Sequence, residues 1–131
     1  GEPTELQASV YEHIAAILRE VPNRVKPGVS GSTLWHWIDT KVREHPHLRD
    51  RGLIHHGGHG VGTRCHEAPD INRDRDGTFA VGNVFSCEPG AYSPALRAGV
   101  RLENTFLITD SGLEILSDFP LELKAGSSTE R

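Results

Sequence analysis

Residues 55–69 read HHGGHGVGTRCHEAP and place four of the chain's eight histidines among four glycines. Glycine at that density argues against a helix, because each one costs about 1 kcal/mol relative to alanine in a helix interior. His55 and His59 stand four apart, but they do not share a helical face. The glycines instead mark backbone that passes close to something else. Familiar loop signatures fail here. His66-Glu67 has no second histidine three residues on, so the HExxH zinc pattern is absent. GHGVGT lacks the Gly-Lys-Ser/Thr of a phosphate loop and the third glycine of a dinucleotide fingerprint. Two readings stay open on this stretch: a pocket for metal and substrate, or a glycine-rich turn with surface histidines.

The chain has 131 residues, which fits one domain. Fourteen basic against eighteen acidic residues give a net charge of -4. A nucleic-acid footprint needs a basic surplus, so no nucleic-acid partner is expected. A hydrophobic fraction of 36% supports a modest core. No run approaches a membrane span, and no N-terminal series marks a signal peptide. A cytoplasmic protein without membrane contact is expected. Cys65 and Cys87 form no CxxC pair, so neither a thiolate zinc site nor a disulfide scaffold is expected. The chain begins at Gly1 and has no methionine, which suggests a processed, cleaved or trimmed end.

Helical spacing of Leu6, Val10, Ile14, Ile17, Leu18 and Val21 predicts a helix over 4–21, stopped by Pro22. Thr4 and Gln7 supply a capping box. Pro27-Gly28 sets a turn. Ser30 or Ser32 can cap a second helix over 33–44, with Leu34, Trp37, Ile38 and Val42 inward and Pro46 beyond its end. The pattern then becomes β-rich: strands over 83–89 and 99–109, a turn at 109–112, and a returning strand over 113–117. The expected fold class is α+β, two helices packed on a curved antiparallel sheet. Residues 124–131 are expected to be a disordered tail.

Alternation puts Val84, Ser86 and Glu88 on one face of the first strand, and Arg101, Glu103, Thr105 and Leu107 on one face of the second. A buried mid-strand carboxylate is costly without a partner. Glu88 and Glu103 therefore either face solvent or converge on a cation. Arg101 can pair with Glu103 or with a substrate carboxylate. NRDRDG (72–77) resembles a calcium loop, but its twelfth position is Asn83 and two arginines lie inside it, so calcium is not expected. His13, His36, His45 and His47 are expected at the surface. Trp37 is expected in the core rather than Trp35. Cys87 is expected as a buried packing residue.

HHGGHGVGTRCHEAP, GNVFSCEPGAY and AGVRLENTFLIT, in that order and together with VKPGVSGSTL, resemble the C-terminal half of the pita-bread metallopeptidases. The nearest branch is the aminopeptidase P and prolidase group, which cleaves bonds involving proline. The resemblance covers about residues 1–123 and implies a partial pita-bread catalytic domain. By position it implies metal ligands at His59, Glu88 and Glu103, with Glu103 bridging two divalent ions. It implies a substrate-side role for His66, which steadies the tetrahedral intermediate, and for His55. It sets Arg101 beside the bridging glutamate and gives His56 no role. Imidazole with carboxylates suits Mn, Co, Fe or Zn. The implied nucleophile is a hydroxide shared by the two ions, attacking the scissile carbonyl.

The family's site has five ligands, two of them aspartates on an upstream hairpin, and residues 1–54 hold no counterpart on a strand-like run. Asn104 stands where an aspartate commonly follows the bridging glutamate. The resemblance thus implies a peptidase site completed by an N-terminal half or by a second copy, with the 131-residue chain alone inactive on a proline-containing peptide. Two other functions remain open: a non-catalytic module that binds peptides or proteins, and a creatinase-like amidinohydrolase.

Overall fold

The computed structural model describes residues 1–75, 77–117 and 119–124. Thr4 caps helix α1 (Glu5–Glu20): its hydroxyl accepts from the Gln7 N–H, and the Gln7 side chain accepts from the Thr4 N–H. Pro22 does not stop the chain at once. It sits inside a short 3-10 turn, Val21–Asn23, where a missing N–H costs nothing. Helix α2 (Gly31–Glu44) starts two residues earlier than its pattern suggests, because Ser30 rather than Ser32 accepts from the Thr33 N–H. It ends as His45 turns extended ahead of Pro46.

Seven strands follow: β1 (Gly58–Gly60), β2 (Glu67–Ile71), β3 (Val84–Cys87), β4 (Gly90–Ser93), β5 (Ala98–Arg101), β6 (Asn104–Thr109) and β7 (Gly112–Ile115). One antiparallel sheet has the order β2-β1-β3-β6-β7, and β4 pairs with β5 in a second. The α+β expectation is borne out, with one correction. The apolar run 99–109 is not one strand. It breaks at Leu102-Glu103, where the Leu102 N–H turns to the Pro89 carbonyl, and its two parts join different sheets. The break ends the alternation that would have kept Arg101 and Glu103 in phase with Thr105 on one strand.

The core lies between the helices and one sheet face. Val10, Ile14, Leu18, Leu34 and Ile38 from the helices meet Ile71, Phe85, Phe106 and Ile108 from the sheet. Phe79, Phe85 and Phe106 form a chain of rings with centroids 4.7 and 5.4 Å apart. Trp35, not Trp37, is the buried indole; Trp37 is half-buried with Arg24 over its ring. The reversal has a polar cause. Trp35 Nε1–H donates to the His55 carbonyl, which gives the buried ring the partner it needs. Cys87 is fully buried, and burial beside Glu88 pushes its thiol pKa up, consistent with a packing residue. The expected tail lies, beyond Lys124, outside the described residues.

Among the four histidines expected at the surface, His45 is an exception. It is 9% exposed, with ring centroids 5.3 Å from His13 and 5.8 Å from His47. Its Nδ1 accepts from the His47 N–H, and its Nε2–H donates to Ser9 Oγ at 3.2 Å. Burial first, and the neighbouring His13 and His47 next, hold its pKa below the ordinary 6.5. The folded chain therefore binds fewer protons here than the unfolded chain. This contribution to stability is intact above pH 6.5 and is lost as pH falls below it toward the folded value. The melting temperature is expected to drop between pH 7 and 5, and His45→Gln to flatten that slope. An unchanged slope in the variant would contradict this role.

Candidate metal centre

The central strands of the larger sheet present one polar row on the face away from the core. The register sets His59 on β1 opposite Ser86 on β3, and Ser86 opposite Thr105 on β6. Side chains at directly opposed positions share a face. Glu88, just past the end of β3, continues that face, and its N–H donates to the Gly57 carbonyl at 2.8 Å. Above it opens a groove of about 620 Å³, lined by His56, His59, His66, Glu88, Arg101 and Glu103 among others. The glycines at 57, 58 and 60 explain themselves in this setting. A Cβ at Gly58 would lie 2.0 Å from the Ser86 carbonyl oxygen, and one at Gly60 would lie 2.3 Å from that of Ala68. They let β1 run between two strands.

His59 and Glu88 form the centre of the site. Their side chains are 12% and 8% exposed, and His59 Nε2 lies 3.5 Å from Glu88 Oε1. His59 Nδ1 meets the Gly60 carbonyl at 2.9 Å. A carbonyl only accepts, so Nδ1 carries a proton. Nε2 then faces a carboxylate oxygen. Two lone-pair donors at this spacing, with the other ring nitrogen fixed by a carbonyl, match one edge of a metal site. Ser86 Oγ donates to Glu88 Oε1 at 3.3 Å. Arg101 Nη1 is 3.4 Å from Glu88 Oε2 and lies over the Tyr92 ring.

Glu103 is exposed at the β5–β6 break and lines the groove. His66 is exposed as well, its ring centroid 4.0 Å from that of His59. Glu67 shapes the loop that carries it. Its Oε1 accepts from the Arg64 N–H at 2.7 Å and from Thr63 Oγ1 at 3.0 Å. Chiefly through the Arg64 N–H, these bonds hold the carboxyl below its usual pKa. His55 stands apart from the others. It lines an adjoining cavity with Trp35, and its ring meets Tyr92 edge-on at 5.6 Å. Its Nδ1–H donates to the His56 carbonyl, while Nε2 is buried with no hydrogen-bond partner among the described residues. Burial lowers its pKa, so the ring is neutral at pH 7.

The donors brought together are His59 and Glu88, with Glu103, His66 and Arg101 around the same groove. Among the described residues, no group of three His, Cys, Asp or Glu side chains reaches metal-holding geometry. The described residues thus set His59 and Glu88 side by side and gather no third group with them in that geometry. His56, Ser86 and Glu67 also belong to this region, and sequence reading gave none of them a role. The contact of His56 with Glu88 spans 32 positions, which no local pattern carries, whereas Ser86 and Glu67 act on near neighbours in the chain.

Residues 1–110 match the model of metallopeptidase family M24. The chain belongs to that family. The M24 chain is 35% identical over 127 residues to the Xaa-Pro dipeptidase of Pyrococcus furiosus, which spans 94% of this chain and 34% of that protein. It is 34% identical over 128 residues to the Xaa-Pro dipeptidase of Lactobacillus delbrueckii, spanning 95% of this chain and 33% of that one. Among solved structures, the prolidase from Pyrococcus horikoshii superposes with a TM-score of 0.84 at 31% identity, over 95% of this chain and 35% of that chain. The chain thus spans about a third of the length of the curated relatives it matches. The fold is the C-terminal α+β half of the pita-bread prolidases, as the motifs implied. No described helix is long and apolar enough to cross a membrane.

Proposed function

We propose that this M24 chain is the C-terminal part of a divalent-metal-dependent peptidase acting on Xaa-Pro bonds, of the aminopeptidase P or prolidase type. The observation that carries the reading is His59 Nε2 facing Glu88 Oε1 at 3.5 Å in a buried setting. His59 and Glu88 would hold one ion, and Glu103 would bridge to a second. The remaining ligands would come from another part of the full-length protein or from a second copy. The donors are imidazole and carboxylate, which suits Mn, Co, Fe or Zn. When bound, such ions supply Lewis acidity and a nucleophilic hydroxide at neutral pH.

The chain's own residues have distinct tasks in this reading. His66, at the mouth of the groove, donates a hydrogen bond to the oxygen that gains charge as the scissile carbonyl is attacked. His55 is held neutral by burial and keeps an acceptor lone pair on Nε2. Arg101 fixes the Oε2 side of Glu88 and neutralises part of its charge. A non-catalytic binding module is the second reading, favoured by the lack of a three-ligand group among the described residues. Metal content and Xaa-Pro hydrolysis, measured on this segment alone and on the protein in its full natural length, separate the two. Metal and hydrolysis in the full-length protein alone are expected. A folded full-length protein with neither would leave the binding module.

A further inference from the structure

We propose that His56 is a positioning residue for Glu88. This rests on reading Glu88 as a metal ligand. His56 Nδ1 lies 3.7 Å from Glu88 Oε1, on the oxygen that also faces His59 and Ser86. Arg101 holds the other oxygen. The Glu88 carboxylate is thus bounded by Arg101 on one side and by His56 and Ser86 on the other. The backbone that carries His56 is itself fixed. Trp35 Nε1–H donates to the carbonyl of residue 55, His55 Nδ1–H donates to that of residue 56, and the Glu88 N–H donates to that of residue 57. Three successive carbonyls are therefore tied, which fixes the backbone from which the imidazole projects. Partners that orient a metal-binding carboxylate commonly change metal affinity by about 10–100-fold when removed.

The test uses the protein in its full natural length, with Mn²⁺ and Zn²⁺ titrated by calorimetry and the metal-free melting temperature measured alongside. His56→Ala is expected to weaken metal binding about tenfold with little change in the metal-free melt. His56→Asn places an amide N–H where Nδ1 stood and is expected to restore most of the affinity. His59→Gln is expected to remove binding. Equal affinity in His56→Ala and wild type would overturn the role of His56 and leave Glu88 as a ligand. Equal loss in His56→Ala and His56→Asn would overturn positioning through Nδ1. Absence of metal from the wild-type protein, or unchanged binding in His59→Gln, would overturn the metal reading and this inference with it.

Discussion

Glu88→Gln is expected to reduce Xaa-Pro hydrolysis by the full-length protein roughly a thousandfold, equivalent to about 4 kcal/mol of lost transition-state stabilisation. Glu88 is the most connected group in the groove, with His59, His56 and Ser86 at one carboxylate oxygen and Arg101 at the other. Glutamine keeps the volume and one acceptor oxygen but removes the charge that would hold a divalent ion. The effect should not come from unfolding. A carboxylate only 8% exposed is costly to bury, so its neutral isostere should leave the metal-free melting temperature unchanged or higher. Metal content and the melt together check this. Loss of activity with full metal content would place Glu88 outside the ligand set, and a collapsed melt would make its role structural.

Gly58→Ala is expected to be the most damaging single methyl in the site. Gly58 has a φ of +146°, and an added Cβ would lie 2.0 Å from the Ser86 carbonyl oxygen and 2.9 Å from Ile71 Cδ1. The first neighbour is backbone of a central strand, so it cannot move aside as a flexible side chain could. Gly58 pairs with Cys87 on β3 and with Ile71 on β2; the clash therefore opens β1 on both sides. The cost is expected to exceed about 3 kcal/mol, from backbone strain and lost ladder bonds together. A fall in melting temperature of roughly 10 °C or more should follow. His59 is the next residue, so its spacing from Glu88 would be lost as well. A variant that melts and binds metal as wild type would refute the close-approach account of these glycines.

The M24 motifs were legible because they are local. GHG, CEP and RLEN carry their residue types within a few positions, and their order along the chain identifies the family. The helices were legible for the same reason: the Thr4–Gln7 capping box and the spacing of Val10, Ile14 and Leu18 are satisfied within a few turns. The apolar run 99–109 misled because strand propensity reports composition. It does not register that the Leu102 N–H finds the Pro89 carbonyl, between β3 and β4. Trp35 misled because its burial depends on the carbonyl of His55, twenty residues away. His45 was placed at the surface because its partner Ser9 lies on the other helix.

The sequence by itself determined the two helices and the Thr4 cap of the first, the α+β class, the family, and the residue types at the site. Each of these rests on spacing along the chain. The tertiary structure alone decided which face of the sheet becomes the groove, that His59 Nε2 turns to Glu88, and that His56 stands beside that carboxylate. The reason is physical. Cross-strand register joins residues 27 and 19 positions apart, from His59 to Ser86 and on to Thr105. Such pairings are set by long-range hydrogen bonding and core burial, and no local pattern encodes them.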